Sequence, residues 1–362
     1  MPSEHNCRSC GSTQLITFLD LGEHPPSDAL RSREQLDQTE ARYPLEAAFC
    51  PDCTLVQILE TVAPEELFGD EYPYYSSFSD TLLEHSKAHV QARLQQGQPK
   101  LVIELASNDG YLLQYYQAAG VQVLGIDPAK GPVEAARARG IETRHAFFTE
   151  ELGRQLRAEG YAADILHANN VLAHVADTRG FVRGIAELLS EEGMAVFELP
   201  YLRTLVENCE FDTIYHEHLC YFSVLSVDRL FRSQGLCLNR VERLPIHGGS
   251  LRLFAQKHEA PDASVQQLIA EERDLGLDTR EYYEGFAKRV QTLRQELRAL
   301  LRQLRDEGQG IAAYGAAAKG ATLILPWNVE QEIRTQQAAY ERAGGRFMIP
   351  VPKPTILEAL HS

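Results

Sequence analysis

The sequence lacks long apolar runs, an N-terminal leader pattern and an excess of basic charge. No apolar run approaches the roughly 20 residues that a membrane-spanning helix needs, so we expect no membrane association. The N-terminus, Met-Pro-Ser-Glu-His, has no basic stretch followed by an apolar one, which predicts a cytoplasmic protein without a secretory signal. The formal net charge of −16 disfavours a nucleic-acid partner, which needs a basic surface. A small anionic substrate remains compatible, since a few local arginine or lysine residues can hold it.

Cysteine is also scarce, at seven residues of 362, but four of the seven form two close pairs. Cys7 and Cys10 form one CxxC motif, and Cys50 and Cys53 form the other. In a reducing compartment this spacing indicates metal ligation rather than disulfides. Both sulfurs of a pair can face one ion at about 2.3 Å, which completes a tetrahedral four-thiolate zinc site. Four thiolates leave no open position, so we expect a structural zinc; unligated thiols are the alternative.

The insert between the cysteine pairs, residues 11–49, is polar and rich in turns. It has too few apolar residues to fold alone, so we expect the metal to supply much of its stability. The remaining cysteines, Cys209, Cys220 and Cys237, lack a partner pattern and are predicted to be small buried hydrophobic residues.

Strands and helices alternate from Lys100 onward, which predicts an α/β fold with a doubly wound, Rossmann-like parallel sheet. Short apolar runs mark the strands at 101–106, 122–126, 164–168, 194–198 and, late in the chain, 252–256. Ligands bind such sheets at the carboxyl ends of the strands. A chain of this length is expected to hold more than one domain. We place a zinc-binding domain at 1–65, the sheet domain at 66–260 with a helical lead-in at 66–98, a helical connector at 261–309 and a C-terminal unit at 310–362.

The turn after the first strand distinguishes between two nucleotide cofactors. A dinucleotide site needs GxGxxG, so that the pyrophosphate can sit on a helix N-terminus. Here residues 104–110 read Glu-Leu-Ala-Ser-Asn-Asp-Gly, with one glycine and acidic groups that would repel a pyrophosphate. Acidic and amide groups suit the sulfonium and ammonium of S-adenosylmethionine, and Asp127, at the tip of the second strand, is placed to hold both ribose hydroxyls. The candidate cofactor-binding residues are Glu104, Ala106, Asn108, Gly110, Asp127, Asn169 and Asn170.

Histidine and tyrosine concentrate in Tyr-His-Glu-His-Leu-Cys-Tyr-Phe at 215–222. As a strand or an extended loop, this segment would point Tyr215 and Glu217 one way and His216 and His218 the other. Proton transfer is the simplest role, because the pKa of histidine lies near working pH. A metal site built on the two histidines lacks evident further ligands nearby. The alternative to catalysis is a set of hydrogen-bonded polar groups in the core.

Three other segments carry groups capable of chemistry. His174 follows a strand at the carboxyl edge of the sheet, where a methyl donor should lie. The aromatic cluster of Tyr72, Tyr74 and Tyr75 precedes a helix, and such clusters more often pack than react. Residues 247–252 read His-Gly-Gly-Ser-Leu-Arg, which suits backbone contact with an anion but equally suits a hairpin turn.

Taken in order, these motifs resemble the sugar C-methyltransferases that act on nucleotide-linked keto-deoxysugars. The resemblance covers nearly the whole chain, and the combination is far more specific than any single motif. The matching motifs are CxxC at 7–10 and 50–53, Tyr-Pro-Tyr-Tyr-Ser-Ser at 72–77, Glu-Leu-Ala-Ser-Asn-Asp-Gly at 104–110, Ala-Asn-Asn-Val-Leu-Ala-His-Val at 168–175, Tyr-His-Glu-His at 215–218, His-Gly-Gly-Ser-Leu-Arg at 247–252 and Tyr-Gly-Ala-Ala-Ala-Lys-Gly at 314–320. Within the cofactor turn, Ala106 replaces the glycine that is usual at this point of a methyltransferase, which predicts a tighter pocket rather than a lost one.

The resemblance implies methyl transfer from S-adenosylmethionine to a sugar carbon beside a keto group, with a nucleotide-sugar as substrate. It assigns the base to His218. Such a carbon is acidic enough for a positioned base, and the resulting enolate can attack the sulfonium methyl in line. The other active-site matches, which would orient the sugar and stabilise the enolate oxygen, are Tyr215, Glu217, His174 and Tyr74. The candidate substrate-binding residues are His247, Ser250, Arg252 and Lys319.

The sequence departs from the family near its C-terminus. Residues 262–309 have helical spacing, and their apolar stripe is predicted to be core packing. The stripe consists of Phe286, Val290, Leu293, Leu297, Leu300 and Leu304. The family's C-terminal domain resembles a second doubly wound sheet, but several of its strands and helices are missing after Thr-Leu-Ile-Leu at 322–325. About fifty residues remain, which suffice for one strand–helix–strand unit but not for an open sheet covered on both faces.

Three functions compete at this point. The leading one is an active sugar C-methyltransferase. A degenerate protein that binds S-adenosylmethionine but no sugar, and serves as a scaffold or partner, is favoured by the missing strands and opposed by the intact Tyr-His-Glu-His motif. A zinc-ribbon module fused to an RNA methyltransferase is disfavoured by the acidic charge. Nothing in the sequence indicates the oligomeric state.

Overall fold

The computed structural model describes residues 5–27, 31–35, 37–67, 74–309 and 347–357. In these ranges no helix is long and apolar enough to cross a membrane. The strands are β1 Ile16–His24, β2 Tyr43–Phe49, β3 Val56–Ile58, β4 Leu101–Leu105, β5 Gln122–Asp127, β6 Thr143–His145, β7 Ala163–Asn169, β8 Leu189–Pro200, β9 Cys220–Tyr221, β10 Cys237–Leu244, β11 Ser250–Gln256, β12 Met348–Ile349 and β13 Thr355–Ile356. The helices are α1 Pro64–Leu67, α2 Asp80–Leu94, α3 Leu113–Ala118, α4 Lys130–Ala138, α5 Glu150–Ala158, α6 Thr178–Leu188, α7 Leu202–Glu207, α8 Val224–Ser233, α9 Ala263–Asp274 and α10 Arg280–Asp306.

Seven strands form the central sheet, in the order β10-β11-β8-β7-β4-β5-β6. The five strands from β8 to β6 in this order are parallel, which confirms the predicted Rossmann-like sheet. Strands β11 and β10 extend it as an antiparallel edge. Because β5 and β7 lie on opposite sides of β4, the chain changes direction at β4. In open α/β sheets ligands bind in the crevice at such a point.

Alternate side chains of the central strands enter two apolar clusters. Ile103 and Leu105 of β4 belong to the larger cluster, and Val102 belongs to the smaller one. A parallel sheet covered on both faces needs continuous apolar strands, and such runs are visible in the sequence. The prediction omits β6 and β10, because Thr143–His145 is entirely polar and Cys237–Leu244 is interrupted by charged residues.

A second, antiparallel sheet has the strand order β1-β2-β3-β9. Its strand β9 follows the Tyr-His-Glu-His motif, so this N-terminal sheet is not confined to residues 1–65. The insert between the cysteine pairs does not form a core by itself. Its residues Leu19, Leu45 and Phe49 are buried in the same apolar cluster as the central sheet. The N-terminal sheet and the central sheet therefore share one core.

The four paired cysteines meet beside the N-terminal sheet. The Sγ atoms of Cys7 and Cys53 lie 3.3 Å apart, and those of Cys10 and Cys50 lie 3.6 Å apart. All four sulfurs lie within 4.8 Å of one another. A tetrahedral ion with zinc–sulfur bonds of about 2.3 Å needs sulfur–sulfur separations of roughly 3.8 Å. The cluster thus fits the predicted four-thiolate zinc ion, and it leaves no open position for a substrate.

The other three cysteines differ in burial. Cys209 and Cys220 are buried, as predicted. Cys237 is partly exposed, which corrects the prediction for that residue. Cys237 is the first residue of β10, which is an edge strand of the central sheet.

Helices α9 and α10 confirm the helical spacing of the predicted connector. Helix α10 packs on the N-terminal sheet, where the ring of Tyr283 lies 5.3 Å from that of Phe18 and 4.8 Å from that of Phe49. The apolar stripe is core packing over its first half only. Its buried members are Phe286, Val290 and Leu293, and its partly exposed members are Leu297, Leu300 and Leu304.

The C-terminal unit predicted at 310–362 lies mostly outside the described residues. Lys319 and Tyr314, which match family positions, lie in that undescribed part. Residues 347–357 are described, and in them β12 pairs antiparallel with β13.

Two buried histidines lie within the central sheet domain. His167 of β7 is fully buried, with its Nε2 atom 3.1 Å from the hydroxyl of Tyr116 and its ring 5.3 Å from that of His89 on α2. Burial lowers the pKa of His167 to about 3 and also lowers the pKa of His89. Both pKa values lie below the unfolded value of about 6.5, so the unfolded chain binds protons that the folded chain does not. The stability that these histidines contribute is therefore lost as the pH falls below about 6.5.

We expect the free energy of unfolding to decrease between pH 7.5 and pH 5.0. A buried histidine that stays neutral, such as His167, accounts for about 2 kcal/mol of this decrease. His167→Gln keeps a polar side chain beside Tyr116 but cannot titrate, so its decrease should be about 2 kcal/mol smaller. Urea denaturation at the two pH values measures both quantities. An identical pH dependence in the variant and the wild type would contradict the prediction.

We expect one zinc ion per chain in the purified protein. Cys50→Ser removes one thiolate at the end of β2, so the variant should lose the metal and its Tm should fall by roughly 10 °C or more. Metal analysis and calorimetry check this. Cys237→Ser is the matched control, because Cys237 lies outside the cluster and should be replaceable without loss of zinc. Stoichiometric zinc in the Cys50→Ser variant would refute the four-thiolate site.

Candidate active site

A cavity of about 630 Å³ opens at the carboxyl ends of β4, β5, β7 and β8. This volume lies within the range of roughly 300–1,000 Å³ that is usual for small-molecule sites. The strand ends line it with Ala106, Asn108, Asp127, Asn169, Asn170 and Pro200. Further along the chain, its lining includes His174, Glu210, Thr213, Tyr215, Glu217 and His218. Its lining also includes Tyr74, Ser76, Phe147, Phe148 and His247.

The turn after β4 adopts left-handed backbone conformations. The φ angles of Ala106 and Asn108 are 52° and 49°. Glycine reaches this region without steric cost, whereas a residue with a Cβ pays about 1–2 kcal/mol. The backbone thus explains why glycine is usual at the position of Ala106 in methyltransferase cofactor turns. Ala106 lines the cavity, and the tighter pocket stays a prediction.

Asp127 fixes this turn to the end of β5. Its Oδ2 atom accepts a hydrogen bond from the backbone N–H of Asn108 at 2.9 Å, and its Oδ1 atom accepts one from the N–H of Ala129 at 2.8 Å. Burial raises the pKa of Asp127, although the two hydrogen bonds oppose the rise. Each carboxylate oxygen has a second lone pair, so Asp127 can also accept hydrogen bonds from a pair of ligand hydroxyls.

Two predicted cofactor-binding residues do not line the cavity. Glu104 is fully buried beside Tyr111, and burial raises the pKa of Glu104 well above its usual range. Gly110 has a φ of 79°, and a Cβ atom there would lie 2.3 Å from the Cδ1 atom of Ile141. Gly110 therefore acts on the shape of the turn, whereas Glu104 is a buried residue of β4.

The lining residues that the structure describes include acidic side chains but no lysine or arginine. The acidic members are Asp127, Glu150, Asp177, Glu210 and Glu217. Such a lining attracts a cation and repels a pyrophosphate. The charge of the cavity thus agrees with a sulfonium cofactor, as the turn sequence predicts.

Residues 215–218 form a turn in which the N–H of His218 donates to the carbonyl oxygen of Tyr215 at 3.0 Å. Because the chain turns here, Tyr215, Glu217 and His218 all line the cavity. His216 lies outside the lining and contacts the N-terminal sheet. The predicted alternation, with both histidines on one side, is wrong because it assumed an extended backbone.

Both ring nitrogens of His218 have hydrogen-bond partners. Nδ1 lies 3.1 Å from the carbonyl oxygen of Thr213, and Nε2 lies 3.0 Å from the hydroxyl of Tyr215. A carbonyl oxygen only accepts, so Nδ1 carries the proton of the neutral ring. Nε2 is then the basic nitrogen, next to a hydroxyl group that also lines the cavity.

His174 lies at the carboxyl edge of the sheet, in the short 3-10 helix Leu172–His174 that follows β7. The centroid of its ring is 4.8 Å from that of His218, and the two ring planes are inclined at 71°. Burial lowers the pKa of His174 to about 4, although its hydrogen bond to the backbone of Glu217 opposes this. His174 is thus neutral at pH 7 and adds no positive charge beside His218.

Tyr74 lies at the cavity and is 46% exposed. Its carbonyl oxygen accepts a hydrogen bond from the Nδ2 atom of Asn108 at 3.1 Å. The Oδ1 atom of Asn108 accepts one from the N–H of Ser76 at 2.9 Å. The Asn108 side chain therefore ties the segment before α2 to the turn after β4.

Of the predicted substrate-binding residues that are described, only His247 lines the cavity. The Ser250 hydroxyl donates to a backbone carbonyl. Arg252 lies on β11 directly opposite Glu198 of β8, with Nη2 2.6 Å from the carboxylate. The charge of Arg252 is thus paired within the sheet, and its role in substrate binding stays a prediction. Residues 245–249 connect β10 to β11, so the hairpin-turn interpretation of this motif holds.

Sequence reasoning missed the aromatic wall formed by Phe147 and Phe148. These two residues follow β6, a strand that the sequence pattern does not reveal because its residues are polar. A signal was present, since Thr149 is followed by two glutamates, a typical helix start. Thr149 is indeed the N-cap of α5. The buried Glu210, which precedes the turn, carries no motif that would have identified it.

Comparison with known protein families divides the chain into three matched regions. Residues 7–68 match a zinc binding domain, and residues 80–239 match a methyltransferase domain. Residues 245–325 and 321–352 match the C-methyltransferase C-terminal domain as two segments that overlap at 321–325. The two segments meet where the sequence predicts that elements of this domain are missing.

Three proteins similar to this chain are named methyltransferases. The Ubiquinone biosynthesis O-methyltransferase of Vibrio cholerae serotype O1 is 26% identical over 100 residues, which cover 27% of this chain and 41% of the relative. The solved structure of 1,6-didemethyltoxoflavin-N1-methyltransferase from Burkholderia thailandensis aligns with a TM-score of 0.41 and 18% identity, over 57% of this chain and 96% of that one. C-methyltransferase NovU of Streptomyces niveus is 30% identical over an alignment of 408 positions, gaps included, which covers 98% of this chain and 97% of NovU. Since the similarity to NovU extends over almost the whole of both proteins, this chain belongs to the family of zinc-binding, S-adenosylmethionine-dependent C-methyltransferases.

Proposed function

We propose that the protein methylates a carbon next to the ketone of a nucleotide-linked keto-deoxysugar. One observation carries the proposal: the basic Nε2 atom of His218 is at the same acidic cavity as Asp127. A carbon acid needs a positioned base, and a sulfonium donor needs an anionic surrounding. Both requirements are met by side chains of this one cavity.

S-adenosylmethionine, when bound, supplies an electrophilic methyl group on a sulfonium. Asp127 would accept hydrogen bonds from its ribose hydroxyls. The flat ring of Phe147, which lines the same cavity, would cover an adenine base. Asn169 and Asn170, which also line the cavity, would offer amide groups to the ammonium end of the cofactor.

His218 acts first in the proposed reaction. Its Nε2 atom removes a proton from the carbon beside the ketone. The C–H pair forms the carbon–carbon double bond of the enolate, and the carbonyl π pair moves onto the ketone oxygen. That carbon then takes the methyl group, while the bonding pair of the sulfonium remains on sulfur. His218 returns its proton to solvent and is neutral again for the next cycle.

Tyr215 and His174 are placed to stabilise the enolate oxygen. The Tyr215 hydroxyl is 3.0 Å from Nε2 of His218, so it lies where the sugar must enter. When the substrate displaces this contact, the hydroxyl can donate to the enolate oxygen. His174, with a pKa lowered to about 4, can donate from a neutral ring. Glu217 and Tyr74 would bind the hydroxyl groups of the sugar.

The diphosphate of the substrate would lie outside this cavity, because the described lining holds no cationic side chain apart from titratable histidines. His247, at the cavity, would face the sugar. Lys319, outside the described residues, is the remaining predicted cation for the diphosphate. The competing candidate, a cofactor-binding scaffold without turnover, is opposed by the grouping of Tyr215, His218 and His174 at one cavity.

Replacement of the base should abolish catalysis and spare cofactor binding. His218→Ala should lower kcat by about 10²- to 10⁴-fold, because proton abstraction then depends on water. Methylation of a panel of thymidine-diphosphate keto-deoxysugars, followed by mass spectrometry, measures kcat. The Kd for S-adenosylhomocysteine by calorimetry should stay within about threefold of the wild-type value. A variant that keeps a tenth of the wild-type rate would contradict the role of His218, and a wild type that binds cofactor but methylates no sugar would favour the scaffold.

Asp127→Asn should weaken cofactor binding. A hydrogen bond to a charged group contributes about 1.5–3 kcal/mol, so the Kd for S-adenosylhomocysteine should rise roughly 10- to 100-fold. Calorimetry measures the Kd. Glu159→Gln is the control, because this carboxylate pairs with Arg144 on the surface and lies outside the lining. Equal affinities of Asp127→Asn and wild type would refute the contact with ribose.

A further inference from the structure

His216 is the member of the Tyr-His-Glu-His motif that the proposed chemistry does not use. It is 1% exposed and does not line the cavity. Its Nε2 atom lies 3.1 Å from the carbonyl oxygen of Pro44, and its ring meets that of Tyr43 at 5.9 Å and 65°. Pro44 and Tyr43 begin β2 of the N-terminal sheet. His216 thus contacts the N-terminal sheet, whereas strand ends of the central sheet line the cavity.

The chain after the turn is anchored to the same sheet by its backbone. The N–H of Ile58 donates to the carbonyl oxygen of Leu219 at 3.0 Å. Strand β9 then pairs with β3, with Cys220 opposite Gln57. The His216 side chain adds an anchor inside the turn itself. Two successive contacts therefore hold residues 216–221 on the N-terminal sheet.

The anchor point on β2 is itself fixed. Strand β2 ends at Phe49 and leads directly into Cys50 of the thiolate cluster. On the other side of the contact, His218 is only two residues from His216. Since one residue separates the two histidines, a shift of the backbone at His216 would carry over to His218. The position of the His218 imidazole is thus coupled to the position of β2.

We infer that His216 is a positioning residue, which through its hydrogen bond to Pro44 keeps Nδ1 of His218 on the Thr213 carbonyl and Nε2 at the cavity. The inference rests on the proposed function, since it takes His218 as the base. A displacement of a catalytic group by about 1 Å costs roughly 10²-fold in rate. The cofactor side of the cavity is built from strand ends of the central sheet, so cofactor affinity should not depend on His216.

Two substitutions separate the hydrogen bond from the volume of the side chain. His216→Leu fills the space but cannot donate, whereas His216→Gln offers an amide donor of similar reach. We expect kcat of His216→Leu to fall about 100-fold, with the Kd for S-adenosylhomocysteine within threefold of wild type and full zinc content. His216→Gln should recover most of the lost rate.

His24→Leu is the matched control. The Nε2 atom of His24 also bonds a backbone carbonyl, that of Leu21 at 2.9 Å, in the same sheet but within β1. Its replacement should leave kcat within twofold of wild type. A kcat of His216→Leu within threefold of wild type, or a His216→Gln variant as slow as His216→Leu, would overturn the inference.

A second measurement needs no substrate and so separates this inference from the proposed function. Nitrogen-15 shifts of labelled histidines report which ring nitrogen is protonated, and the His218 signal is identified by its loss in His218→Gln. Wild type and His216→Gln should show the Nδ1-protonated ring, and His216→Leu a mixture of the two tautomers. If the wild type methylates no keto-sugar, the proposed function fails, and the nitrogen-15 spectra alone decide the inference. An unchanged His218 tautomer in His216→Leu would overturn it.

Discussion

A single hydrogen bond, from Nδ1 of His218 to the carbonyl oxygen of Thr213, decides which nitrogen of this ring is basic. An imidazole without that bond exchanges between two tautomers, and either nitrogen can carry the proton. Here the carbonyl retains the proton on one side, so Nε2 faces the Tyr215 hydroxyl as an acceptor. Under the proposed function, His218 is then a base of fixed orientation at a cavity whose acidic side chains would hold the sulfonium cofactor.

The two sheets support different parts of this site. The central parallel sheet supplies the cofactor side, because the ends of β4, β5 and β7 meet at one edge. The N-terminal sheet supports the turn that carries His218, since β9 pairs with β3 directly after the turn. The thiolate cluster lies at the end of β2 and holds this strand of the N-terminal sheet in place. A metal site without any open position can therefore matter for catalysis, by holding the sheet on which the catalytic turn rests.

Much of the fold was predictable because local patterns agree with the tertiary structure. Continuous apolar runs identified the buried strands β4, β5, β7 and β8, and two CxxC pairs identified the thiolate cluster. Failures occurred where tertiary contacts override local pattern. Strand β6 is too short and polar to recognise, and the sequence of 215–218 gives no sign of a turn. The sequence also does not show that Arg252 pairs with Glu198, 54 residues away. No spacing rule reveals an ion pair between strands whose pairing is unknown.

Proton exchange at the sugar carbon isolates the central step from methyl transfer. The wild-type protein, saturated with S-adenosylhomocysteine in deuterium oxide, is mixed with a thymidine-diphosphate keto-deoxysugar, and deuterium at the carbon beside the ketone is followed by NMR. We expect steady incorporation with the wild type and none above the solvent rate with His218→Gln. Equal incorporation by the two proteins, for a sugar that the wild type methylates, would contradict the assignment of His218 as the base.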